Sequence, residues 1–178
     1  AAWETSLGAD DAGWEVLQPF EYGDPGGLSK LALQKDGTLL AGGHRFNGGT
    51  WRIRAKTGAT NIGSVRLELF TDANLPLQGP GRSREGGFAL REIRLKAAPV
   101  DQATNTVAFG FRNAVADFSA DQKPEGDIAK DKDYSGPVRF AIDGNDRTAW
   151  TIDAGPGRRN TARTAVFNLS TNVTFGAG

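Results

Sequence analysis

The chain has 178 residues, including 24 glycines and 8 prolines, a density of helix-interrupting positions that excludes a fold built on long helices. Hydrophobic residues make up 38%, with ten Phe and four Trp, which is too apolar for a disordered chain and fits one compact module over 1–178. Lys+Arg and Asp+Glu are equal at 21 each, so the basic excess that nucleic-acid backbones require is missing; zero Cys and a single His exclude disulfides, thiol chemistry and thiolate- or imidazole-rich metal sites. Any metal held here must be held by oxygen.

In chain order, the first strand-like segment is 14–18. Asp36-Gly37 sits between apolar runs at 30–34 and 38–41, a hairpin signal in which both central residues are expected at positive φ. At 51–56, Trp51, Ile53 and Ala55 alternate with Arg52, Arg54 and Lys56, and 65–69 alternates in the same way; both read as half-buried strands. The stretch 75–87 is loop-like, with Gly79-Pro80-Gly81-Arg82 at its centre. In 88–96 the apolar parity changes between Phe88, Leu90 and Ile93, Leu95, which calls for a bulge near Arg91-Glu92 or burial on both faces. A strand is expected at 106–111, a mixed-charge solvated loop over 117–137, and strands at 138–142, 148–152 and 165–169. Strand-sized segments punctuated by Gly, Asn, Asp and Pro specify an all-β fold, an antiparallel β-sandwich or jelly roll, with Trp51 and Trp150 as core residues. No apolar run approaches the roughly 20 residues of a membrane span, and the opening Ala1-Ala2-Trp3 lacks a signal-peptide pattern.

The richest chemistry lies in Asp143-Gly144-Asn145-Asp146-Arg147-Thr148, where side-chain oxygens at the first, third and sixth positions of a tight turn can converge on a hard cation such as calcium. The same turn closed by an Asx-type hydrogen bond needs no metal. Trp3, Tyr22, Phe46 and Tyr134 occupy polar, Gly-rich surroundings suited to stacking on sugar rings, and His44-Arg45 adds donors on a flexible loop. There is no Gly-x-Ser-x-Gly elbow, phosphate loop or His-Glu-x-x-His motif, so the chain reads as non-catalytic.

Ala141-Ile142-Asp143-Gly144-Asn145 followed by Thr148-Ala149-Trp150 resembles the opening signature of discoidin-type, galactose-binding-like domains, a group of β-sandwich jelly rolls that includes family 32 carbohydrate-binding modules. The resemblance implies a structural calcium ion held by Asp143, Asn145 and Thr148. In those domains a glutamate near a closing strand completes the site. Here the matching segment, Ala89-Leu90-Arg91-Glu92-Ile93, precedes the signature, which implies a circular permutation with Glu92 as the remaining carboxylate and the Phe140 and Arg91 carbonyls as further ligands.

A second resemblance runs through Trp14-Glu15-Val16-Leu17-Gln18-Pro19, the segment Asp36-Gly37-Thr38-Leu39-Leu40-Ala41-Gly42-Gly43, Val65-Arg66-Leu67-Glu68-Leu69 and Ala114-Val115-Ala116-Asp117-Phe118-Ser119. Together these are similar to a module embedded in large secreted planctomycete-type cytochrome proteins. That likeness implies a secreted, periplasmic or cell-surface bacterial setting, with carbohydrate and the parent's other domains as partners. The alternative it leaves open is a docking domain with no free ligand.

Overall fold

A computed structural model describes residues 13–44, 49–125, 133–153, 155, 158 and 160–175. The chain is all-β and forms two compact units, 1–59 and 60–178.

The first unit contains β1 (Gln18–Gly23), β2 (Ser29–Leu33), β3 (Leu39–Gly43) and β4 (Arg52–Lys56). β2 and β3 form the hairpin expected around Asp36-Gly37, with Leu33 opposite Leu39. The turn corrects one detail. Only Gly37 has positive φ, at 86°, while Asp36 accepts both the Thr38 amide and hydroxyl on its Oδ1, at 3.0 and 2.7 Å. The first strand lies at 18–23 and not at 14–18, because it is chosen by pairing with β4, in which Tyr22 faces Ile53 across a register shift at Phe20.

Trp51 does not join a core. It is 40% exposed, with its indole N–H donating to the buried Ser29 hydroxyl at 2.9 Å. The alternation at 51–56 is genuine, but none of the buried apolar side chains among the described residues lies in this unit, so among the described residues no core forms on that face.

Asp24 organises the turn before β2. Its carboxylate accepts the Ser29 amide, the Gly26 amide and the Ser29 hydroxyl. The Ser29 and Gly26 amides lower its pKa below the usual 3.8, against a smaller opposing effect of desolvation. A depressed carboxylate pKa adds stability that is complete above the unfolded value and is lost as pH falls through the folded one. Amide exchange at Gly26 and Ser29 is therefore expected to accelerate selectively below about pH 3.8 in wild type. In Asp24→Asn the same amides should show no such acid-dependent step.

The second unit contains β5 (Ile62–Leu69), β6 (Ala89–Leu90), β7 (Leu95–Ala97), β8 (Val107–Phe109), β9 (Phe111–Ala116), β10 (Lys123–Glu125), β11 (Asp133–Gly136), β12 (Thr148–Thr151) and β13 (Arg163–Val173). One sheet has the order β10-β11-β12-β6, a second the order β5-β13-β9, and β7 pairs with β8. All pairs are antiparallel except β11 with β12. Trp150 and Leu90 from the first sheet and Ala165, Phe167 and Leu67 from the second share one core with Val138, Ala141 and Ile152, so two sheets pack over a common apolar layer.

Two expectations are overturned in this unit. The 138–142 segment is a 3-10 helix, Val138–Ile142, not a strand: Pro137 precedes it, its carbonyl accepts the Phe140 amide at 3.1 Å, and Val138, Phe140 and Ala141 are all buried, a pattern without the period of two. The 117–137 stretch is not only loop, since it supplies β10 and β11; their pairing, not their composition, makes them strands. The parity change in 88–96 is resolved by a break between β6 and β7, where the Ile93 amide leaves the sheet and donates to the Ala141 carbonyl at 2.8 Å.

Candidate functional site

The Asp143–Thr148 turn leaves the 3-10 helix and enters β12. Gly144 supplies the one left-handed residue the turn needs, φ 74°. Asp143 Oδ1 accepts the Asn145 amide at 3.0 Å, and Asn145 Oδ1 accepts the Arg147 amide at 3.1 Å. These are consecutive Asx-type closures.

Glu92, 52 residues earlier in the chain, lies against this turn, its Oε1 accepting the Gly144 amide at 2.7 Å. β6 carries it there: Leu90 pairs with Trp150 on β12, and three residues later the chain has turned off the sheet toward Ala141. Arg91 adds a second tie, donating from Nη1 to the Asp146 carbonyl at 2.7 Å. Asp133 lies between two cations, 2.9 Å from Arg147 Nε and 4.0 Å from Arg91 Nη2.

The buried Thr148 hydroxyl is the centre of the cluster. Its Oγ1 lies 3.0 and 2.9 Å from the two Asp143 carboxylate oxygens and 2.8 Å from the Asn145 carbonyl oxygen. One hydroxyl proton serves only one of these three acceptors, and the others have their own donors, since the Asn145 amide reaches Asp143 Oδ1 and the Thr148 amide reaches the Asn145 carbonyl at 3.2 Å, so the oxygens gathered around Thr148 Oγ1 are hydrogen-bonded within the turn. Among the described residues no three carboxylate, imidazole or thiol groups converge on a point. A cation here would therefore take hydroxyl and carbonyl oxygens along with its carboxylates, as calcium does.

Of the residues expected to ligate, Asp143, Asn145, Thr148 and Glu92 thus meet in one hydrogen-bonded cluster. Phe140 is buried in the 3-10 helix one turn earlier, and Arg91 contributes its guanidinium to Asp146. Of the expected sugar-platform residues, Tyr22 and His44 belong to the first unit and Tyr134 to the second. His44 is exposed after β3, its amide donating to the Leu28 carbonyl at 3.2 Å, and Tyr22 is half-buried on β1. Tyr134 is half-buried on β11, inside a sheet of the second unit. Trp3, Arg45 and Phe46 lie outside the described residues.

The aromatic that sequence reading placed in a core in preference to a sugar-stacking role is Trp51. Its period-two position signalled burial, yet it is 40% exposed, on the same face as Ile53 and Tyr22. No family model, no curated protein and no solved structure matches this chain.

Proposed function

We propose that the chain is a non-catalytic carbohydrate-binding module whose second unit, a jelly-roll-like sandwich, carries a structural calcium site. The observation that supports the metal is the oxygen cluster around Thr148 Oγ1 with Glu92 brought onto the same turn. Asp143, Thr148, Glu92 and the Asn145 carbonyl would hold the ion, with Asn145's side chain bracing the turn through the Arg147 amide. Bound there, calcium supplies charge neutralisation and a cross-link between the end of β6 and the start of β12. No substrate group and no bond-breaking step is involved.

Calcium at 100 times its Kd stabilises the fold by about 2.7 kcal/mol, which raises the melting temperature by several degrees over the chelated protein. Glu92→Gln keeps an acceptor for the Gly144 amide but removes the charge. It should melt close to wild type in chelator while losing most of the calcium-dependent rise. Equal melting temperatures with calcium and with chelator, together with no heat of calcium binding, overturn the metal assignment.

The open face of Trp51, Ile53 and Tyr22 supports sugar binding, because an exposed indole held in place by Ser29 offers a flat apolar surface to a pyranose ring. Such sites bury little area and bind modestly, so the test is a glycan array with the module presented multivalently, and no hit under that presentation overturns the carbohydrate reading. A docking role has its own support: Val16, Phe20 and Leu28 are more than half exposed in the same unit, where no apolar side chain among the described residues is buried. Strong binding of a hydrophobic dye with no glycan hit would favour docking.

A further inference from the structure

A groove of about 330 Å³ opens between β9 and the 3-10 helix of the second unit. Phe111, Phe140 and Ile142 give it apolar surface, and Arg112 and Arg139 bring two positive charges to it. Neither arginine has an ion pair among the described residues. The neighbouring cations contrast with them: Arg66 pairs with Glu68, Arg91 and Arg147 with Asp133, and Arg163 with Asp117. The carboxylate that also lines the groove, Asp143, is engaged by the Asn145 amide and the Thr148 hydroxyl. Arg139 lies over the Phe140 ring, 5.0 Å from guanidinium carbon to centroid, which restrains the side chain without using a carboxylate.

We propose that this groove binds a uronic acid unit of an acidic polysaccharide, an inference that rests on the carbohydrate reading and names its substrate class. A uronate combines what the groove offers partners for. Its C–H face suits Phe111, Phe140 and Ile142, and its planar carboxylate suits the forked N–H donors of Arg112 and Arg139. The volume is at the lower end of small-ligand sites, enough for a short saccharide segment. The zero net charge of the chain does not oppose this, because recognition follows the local field and here two cations with no ion pair among the described residues share one concavity.

The test is calorimetric titration of the full chain with a galacturonate tetrasaccharide, its carboxyl-reduced neutral counterpart and a sulfated form of that neutral backbone. The galacturonate should bind, weaken as salt is raised, and exceed the other two by at least about tenfold. Arg112→Gln and Arg139→Gln should each lower its affinity about tenfold, since each removes a charge-assisted contact. Arg94→Gln, an exposed arginine outside the groove, should leave it unchanged, and wild-type melting temperatures in all three variants show that the fold is intact. Equal binding of acidic and neutral sugars, or arginine variants within twofold of wild type, overturns the groove assignment and leaves the carbohydrate reading standing. Preference for the sulfated sugar overturns the carboxylate assignment. Binding of none of the three, with the module also presented multivalently and silent on a glycan array, overturns both.

Discussion

Trp150→Ala should destabilise the second unit by about 3–5 kcal/mol, the range for deleting a large aromatic from a packed core. Trp150 is fully buried, its ring meets Phe88 edge-on at 6.5 Å, and its indole N–H donates to the Phe118 carbonyl at 3.0 Å. Truncation opens a cavity between the two sheets and leaves that carbonyl without its donor. Trp150→Phe retains most of the apolar volume but still orphans the carbonyl, so it should cost less, about 1–3 kcal/mol. Val115→Ala, at an exposed position on β9, should stay within about 0.5 kcal/mol of wild type. Urea unfolding followed by circular dichroism separates the three. A Trp150→Ala midpoint no lower than that of Val115→Ala would mean the core is not organised around this side chain.

The second large effect comes from a residue with no side chain. In the 75–87 loop the Gly81 amide donates to the Gly86 carbonyl at 2.9 Å, and the Ser83 amide and hydroxyl bond the Gly87 carbonyl and amide, folding the loop back on itself. A Cβ on Gly81 would collide with the carbonyl of Gly87 and the amide nitrogen of Phe88, which are backbone and cannot rotate aside. Displacing Phe88 also disturbs its contact with Trp150, so Gly81→Ala should cost about 3 kcal/mol, at the upper end of overpacking. Gly110→Ala is the control. Its Cβ would meet only the Ser170 hydroxyl at an ordinary 3.7 Å, so the unfolded-state entropy gain should leave stability unchanged or raised by up to about 1 kcal/mol. Asn160 reaches across the chain to the same loop: its amide donates to the Leu77 carbonyl at 3.0 Å, while its buried Oδ1 has no donor among the described residues and packs against Gly79 and Gly86. Those two glycines are required by closeness of approach.

How much was legible depended on whether the cause was local. The hairpin at Asp36-Gly37 could be read because the residues that turn the chain are the residues in the turn. The segment 138–142 was misread as a strand, since Val138, Phe140 and Ile142 do alternate, and only Pro137 and burial of the intervening Ala141 turn it into a 3-10 helix. Trp51 was misread for the complementary reason. Its alternation predicts an apolar face but not whether anything lies on top of that face. Lys123–Glu125 and Asp133–Gly136 carry no apolar pattern at all, and they are strands because β12 offers an edge for β11 to extend.

By itself the sequence determined the all-β class, the oxygen-only chemistry of any metal, and the Asp143 to Thr148 turn, because composition and short-range turn stereochemistry act within a few residues. Only the tertiary structure decided that Glu92 reaches Gly144 across 52 positions, that Trp150 is enclosed while Trp51 is not, and that Arg112 and Arg139 share a groove with no ion pair to either among the described residues. Each of these depends on which strands become neighbours. That choice is made by the burial of apolar faces between sheets, a sum over contacts distant in sequence that no local pattern contains.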